Sequence, residues 1–365
     1  MDRFFGLTQQ YPDPRDAERT RRAAVDIVAI HGLRARSPET WLAWEKEDDP
    51  DSGTVFWLKD EKMLPSFIPD SRILTYDWNA NYVKDACKDR FLGHADTLLE
   101  HIFQDRVETN RSHHPIIFIA SCFGGILLAN TLVRANEPHH PQHKQYHPIL
   151  ELTIGIVFLG TPFRGSWMLG HEFALRLIDQ EVEKEESPSH ELAQYLRPDS
   201  RSDRSGLPSP LDDVVQRFSE MIHTTKIKSV TDVVCFYETR PTNYKSVLKA
   251  LDRNTMPKEF DPTGHAITVP RASACIDGVT ALPLHVRHNM LHKHNSPTST
   301  KFKLIAQRVQ AFVERSKDNL EANRNEELKR RSRMNIAFNG PIAIGRITIQ
   351  EIQISGGTGG NITFN

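Results

Sequence analysis

The segment Ala120-Ser-Cys-Phe-Gly124, followed by Gly125, puts a thiol where a short apolar run meets a helix-forming one. A nucleophile on a sharp strand-to-helix turn needs small residues two places before and two after it, because neighbouring backbones come into contact there. In that register Ala120 and Gly124 flank Cys122. Ser121 would need Ile119 and Phe123 as flanks, which are too large. Cys122 is therefore the candidate nucleophile, competent where a nearby imidazole or helix N-terminus lowers its pKa. An inert cysteine closing a buried strand is the plainer alternative.

Three further segments could complete the same machine. His31-Gly32-Leu33 follows an apolar run, and the N–H groups of Leu33 and Phe123 would together hold a tetrahedral oxyanion. A simple turn at His31-Gly32 is the alternative. An acid should follow a later strand, and Val233-Val-Cys-Phe-Tyr-Glu238 offers Glu238 in the chain order Cys, Glu, His. Asp277 is the alternative acid, and an exposed strand-end Glu238 the bland reading. The base should lie in a loop after the last strand, where His285, His288, His292 and His294 all stand, and those that are not the base read as solvated loop histidines. The run His139, His140, His143, His147 is read as exposed loop histidines, and no metal or other cofactor is expected.

These residues need strands that end at them. Val25–Ile30, Arg72–Tyr76, Pro115–Ala120, Thr153–Leu159, Val230–Tyr237 and Ala266–Val269 are short apolar runs with strand character. Helical spacing marks Phe91–Val107, Gly125–Val133 and a closing helix over Thr300–Val313. Alternation of this kind implies a mostly parallel sheet with helices on both faces. With the elbow at its centre, the expected class is the α/β-hydrolase fold over residues 21–315. Residues 1–20 read as an arm, 34–70 as a long loop, 137–148 as a His/Pro-rich loop, and about 167–228 as a helical cap insertion that would set acyl specificity.

Composition bounds the rest. The chain has 365 residues, enough for one large α/β unit, and a formal net charge of -1 that gives no pointer to nucleic acid. Its start lacks the pattern of a signal peptide, and no run approaches the roughly 18 apolar residues of a membrane span. The four cysteines have no CxxC pairing, as expected of reduced thiols in a cytoplasmic protein.

Several segments resemble one family. Ile156-Val-Phe-Leu-Gly-Thr-Pro-Phe-Arg-Gly-Ser166 is similar to the "FLGTPHRGS" segment of the lipase-like, SesB-like hydrolase domains found at the front of fungal NOD-like receptors. Phe236–Thr242, Val269–Cys275 and Leu282–Met290 resemble the same family, and the likeness covers roughly residues 20–315. It implies that His288 is the catalytic histidine, in the place that follows "PLDAD" in the family. The chain departs from the pattern at Cys122 (serine there), at Phe163 (histidine) and at His285 and Arg287 (acidic residues).

The C-terminus changes character. Residues 316–334 are almost all charged or polar, a linker or exposed helix, whereas 335–365 are rich in Ile, Gly, Asn and Thr. Asn335-Ile-Ala-Phe-Asn339 is echoed by Asn361-Ile-Thr-Phe-Asn365. Such a low-charge, β-prone segment can stack as cross-β. It resembles the C-terminal amyloid motifs of fungal cell-death effectors, which implies self-assembly through 335–365, a NOD-like receptor with a matching motif as partner, and a lipid or acyl substrate. An ordinary flexible tail or an extra edge strand is the alternative. Movement to a membrane on activation stays open.

Overall fold

A computed structural model describes residues 5–46, 49–80, 91–169, 209–224, 227, 231–244 and 264–338, with only the backbone at 91, 92 and 320–338. The chain divides into two compact units, 1–316 and 317–365.

The first unit is built on seven strands: β1 (Gly6–Tyr11), β2 (Val25–Ile30), β3 (Ser71–Asp77), β4 (Ile116–Ser121), β5 (Thr153–Leu159), β6 (Asp232–Glu238) and β7 (Thr280–Leu284). Their order is β1-β3-β2-β4-β5-β6-β7, with β1 antiparallel to β3 and every other pairing parallel. Central strands of a parallel sheet are covered on both faces, which is why β2, β4 and β5 read as continuous apolar runs. Side chains nevertheless alternate: Val28 and Ile30 belong to one core, Ile27 and Ala29 to the other.

On the first face lie the helices α1 (Phe91–Glu108), α2 (Phe123–Ala135), α3 (His143–Glu151) and α4 (Pro210–His223), whose Leu98, Leu127, Ile149 and Phe218 share one core. On the second lies the start of α5 (Thr300–Phe338). Phe302, Ile305, Ala306, Val309 and Phe312 recur at helical spacing and are buried there. The fit is close enough that a Cβ on Gly155 of β5 would lie 2.0 Å from the Phe312 ring.

A buried ionic cluster closes one end of the sheet. Asp26 Oδ1 accepts from Arg72 Nε at 2.8 Å and Arg111 Nε at 2.7 Å, and Asp26 Oδ2 accepts from Arg106 Nη1 at 2.7 Å. Asp105 pairs with Arg72 at 2.5 Å. Asp26 interrupts an otherwise apolar strand because three guanidiniums converge on it.

Several elements differ from the sequence expectation. The arm contains β1, an edge strand whose polar Thr8, Gln9 and Gln10 hide it; Gln10 Nε2 donates to Thr75 Oγ1 at 3.0 Å inside the fold. The last sheet strand is β7, not Ala266–Val269. His265–Ala266 instead forms a two-residue ladder with Thr242–Asn243. Pro283 obscured β7, and it is tolerated because β7 pairs on one side only. The long loop carries a hairpin, Leu42–Trp44 against Thr54–Phe56, with Trp41 and Trp57 fully buried. The His/Pro loop contains most of α3, with Pro148 inside it.

Of the expected cap, residues 170–208 lie outside the described residues, while Leu211, Val214 and Phe218 of α4 pack in the core with α2. In the second unit the described residues are helical up to Phe338; the repeat's second copy and most of 335–365 lie outside the described residues.

Candidate active site

Two strands of the parallel sheet, β4 and β2, end at one small cavity, and β5 ends beside His288. Strand β4 delivers Cys122, β2 delivers His31-Gly32-Leu33, and β5 runs into Gly160-Thr-Pro. The chain turns sharply at Cys122, with φ 51° and ψ -130°, and then starts α2. A left-handed φ on a residue with a side chain is a strained state that surrounding packing must hold. Cys122 N donates to Leu159 O at 2.9 Å, and Gly125 N donates to Cys122 O at 3.0 Å, which pins the turn from both sides.

The glycines are forced by contact. A Cβ at Gly124 would lie 2.4 Å from the His31 carbonyl oxygen, and one at Gly125 would lie 1.9 Å from Thr161 Oγ1. A Cβ at Gly32 would lie 2.7 Å from the Cys122 Cβ and 3.3 Å from its Sγ. Ala120 is fully buried between Ile30 and Phe158 of the neighbouring strands. This is the steric logic of a nucleophile elbow.

His288 opens a short 3₁₀ turn, His288–Met290, beyond β7. Its Nδ1 lies 2.8 Å from Glu238 Oε2, and His288 lines the same cavity as Cys122. With Nδ1 engaged by the carboxylate, Nε2 is the nitrogen left to face the sulfur. Glu238 ends β6, almost fully buried, and its Oε1 accepts from the Val269 N–H at 2.9 Å. Burial alone would push the His288 pKa down. The adjacent Glu238 carboxylate and the Cys122 sulfur more than reverse that and hold it well above the usual imidazole value.

The alternative acid Asp277 is not at the imidazole. It is exposed and pairs with Arg164 at 2.9 Å. Leu33 and Gly32 line the cavity, and Phe123 is the first residue of α2, where backbone N–H groups point away from the helix. The cavity holds about 190 Å³ and is also lined by Thr40, Ser121, Asn289 and His292.

His292 is the residue that sequence reasoning missed. Read as a solvated loop histidine, it instead lines the cavity, with Nδ1 3.0 Å from Ser121 Oγ and its ring edge-on to Trp41. Burial, then the Lys293 and His288 charges, hold its pKa well below the usual value. The cavity thus holds two imidazoles whose pKa values are shifted in opposite directions. No signal in the loop pattern separates them, because the distinction comes from Glu238 on a distant strand.

His294 is also not solvated. It is fully buried beside Trp57 and Phe302, and burial lowers its pKa to about 3. His285 is exposed, with Nδ1 3.2 Å from Thr239 Oγ1. His140, expected to be exposed, is buried against Tyr146, with Nε2 3.5 Å from Asp96. Among the described residues no group of three or more His, Cys, Asp or Glu could hold a metal.

The other motif segments meet around the acid. Ser273 O accepts from the Phe163 N–H at 2.9 Å, Ser273 Oγ donates to Gly165 O and Ser166 Oγ donates to Thr268 O, both at 2.5 Å. Phe163, a histidine in the similar family, is buried edge-on to Phe158.

No protein-family profile matches the chain, and no curated protein matches it. Crystal structures of similar shape include the mature lipase BlEst2 of Bacillus licheniformis, at 15% identity and a TM-score of 0.42, covering 78% of this chain and 90% of that one. The carboxylesterase CesB of Bacillus subtilis follows at 12% and 0.38, covering 86% and 90%. The haloalkane dehalogenase DbeA of Bradyrhizobium elkani stands at 11% and 0.39, covering 84% and 94%. The mostly parallel sheet, its flanking helices and the elbow give this chain the α/β-hydrolase fold. No described helix is long and apolar enough to cross a membrane.

Proposed function

We propose that the first unit is a thiol-dependent acyl hydrolase or transferase, with Cys122 as nucleophile, His288 as acid and base, and Glu238 as the group that orients the imidazole. The observation that carries this reading is His288, held by Glu238 at 2.8 Å and lining one cavity with Cys122 at a strained elbow. Nε2 takes the Cys122 thiol proton as the sulfur attacks. The sulfur attacks an ester or thioester carbonyl, and its new bond to carbon leaves an oxyanion held by the N–H groups of Leu33 and Phe123. As the carbon–oxygen or carbon–sulfur bond breaks, Nε2 gives its proton to the leaving group. Water then attacks the acyl-enzyme while Nε2 takes its proton, and the acid and the free thiol are released.

Incubation with a p-nitrophenyl ester, acid quench and intact-mass measurement tests this. An adduct of one acyl mass on the wild type, absent from Cys122→Ala, supports the reading. No adduct and no nitrophenol release would make the fold a non-catalytic scaffold.

On the sequence side, the motif likeness supports a finer role: a cytoplasmic fungal cell-death or incompatibility effector whose 335–365 tail is templated into amyloid by a NOD-like receptor. Lipid or acyl esters would be its substrates. The paired Asn-Ile-x-Phe-Asn copies support the assembly step. Seeded thioflavin-T growth by a 335–365 peptide, and loss of the cellular effect when it is deleted, are the expected results. A peptide that stays soluble and unseeded contradicts the assembly step.

A further inference from the structure

Beside the catalytic cavity lies a larger one of about 450 Å³, and Asn289, the residue after His288, lines both. Its apolar wall is Leu42 and Trp44 from the hairpin and Met290 from the 3₁₀ turn. Trp44 is 45% exposed, one of only three large apolar side chains so open among the described residues. An exposed aromatic that lines a concave surface together with Leu42 and Met290 has the make-up of a ligand pocket.

Among the described residues that line it, cations outnumber carboxylates: Arg287, Lys293 and Lys301 stand with Glu39, which lies 3.3 Å from Arg36. Lys293 is half-buried, with Nζ donating to Leu42 O at 2.8 Å, and burial lowers its pKa. An anion placed there would offset the cost of holding that charge out of water. An apolar floor with a cationic wall suits a ligand that is itself divided in this way.

We propose that this cleft binds a single-chain anionic amphiphile, its carboxylate or phosphate head on Arg287, Lys293 and Lys301 and its alkyl chain on Leu42, Trp44 and Met290. As part of a substrate, such a ligand would pass Asn289 and present its carbonyl to Cys122; that extension rests on the catalytic reading above, whereas the binding itself does not.

Calorimetric titration of the full-length Cys122→Ala protein with decanoate, decyl phosphate and neutral decyl glucoside, all below micelle-forming concentrations, tests it. The expected result is one-to-one binding of at least one anionic probe, at least tenfold weaker for the glucoside. Lys301→Glu and Trp44→Ala, on separate elements, should each weaken it about tenfold; circular dichroism checks that each folds. The tighter of the two anions identifies the head. Equal affinity for the glucoside, no saturable anionic binding, or affinities unmoved in both folded variants would overturn the proposal. Anion binding by a protein whose wild type forms no acyl adduct would leave the cleft assignment standing and remove only the catalytic reading.

Discussion

Gly160 lies against His288 so closely that a Cβ added to it would sit 2.9 Å from the imidazole Cε1 and 2.5 Å from Leu291 Cδ1. The backbone there has φ +63°, a conformation that side-chain-bearing residues seldom adopt. The end of β5 therefore sets the position of a histidine about 130 residues away in the chain. Gly160→Ala should keep the sheet but displace the ring, lowering acyl transfer by about 100-fold, the scale of a lost acid–base contribution. Esterase rates beside a thermal melt check this; a full rate in a folded variant would contradict the placement.

Glu238→Gln keeps the shape but removes the charge that raises the His288 pKa. Burial then dominates, so the pH at which the ring gives up its proton should move down. Titration of the imidazole by NMR reads that shift, and the rate should fall by about 100-fold or more. An unmoved imidazole titration would mean that the carboxylate only packs.

Residues bound the legibility of this site unevenly. Cys122, Ala120 and Gly124 could be read directly, because an elbow's demands are local and steric. Glu238 was legible only through chain order, and His288 only through a family likeness, since four histidines share one loop and a distant carboxylate distinguishes them. His292 was not legible, because its partner Ser121 looks like an unused neighbour of the nucleophile. The same division holds for the fold. β2 and β5 show their burial as apolar runs, whereas β1 and β7, paired on one side only, show Gln and Pro instead.

Asp26→Asn should destabilise the first unit by about 3–5 kcal/mol, the range for breaking a buried ion pair. Three arginines would face one neutral amide. Urea unfolding of the wild type and the variant gives the difference. A change below about 1 kcal/mol would mean that the arginines find other partners.

His294 predicts an acid-side slope. The unfolded chain binds a proton near pH 6.5, whereas the folded ring, with a pKa of about 3, does not. Between those values the unfolded state holds more protons, so stability falls as pH drops, by up to about 1.4 kcal/mol per pH unit. His294→Phe keeps an aromatic ring beside Trp57 and should flatten that slope. Denaturant midpoints at pH 4, 5, 6 and 7 measure it, and parallel slopes for both proteins would contradict the assignment.

The most direct measurement is the rate at which a thiol-directed reagent labels Cys122 from pH 5 to 9, in wild type, Cys122→Ala and His288→Ala. An activated pair should label fast at pH 6–7, with that phase absent from Cys122→Ala and slowed towards a free thiol in His288→Ala. Labelling of the wild type at the free-thiol rate, unchanged by His288→Ala, would show that Cys122 and His288 do not act together.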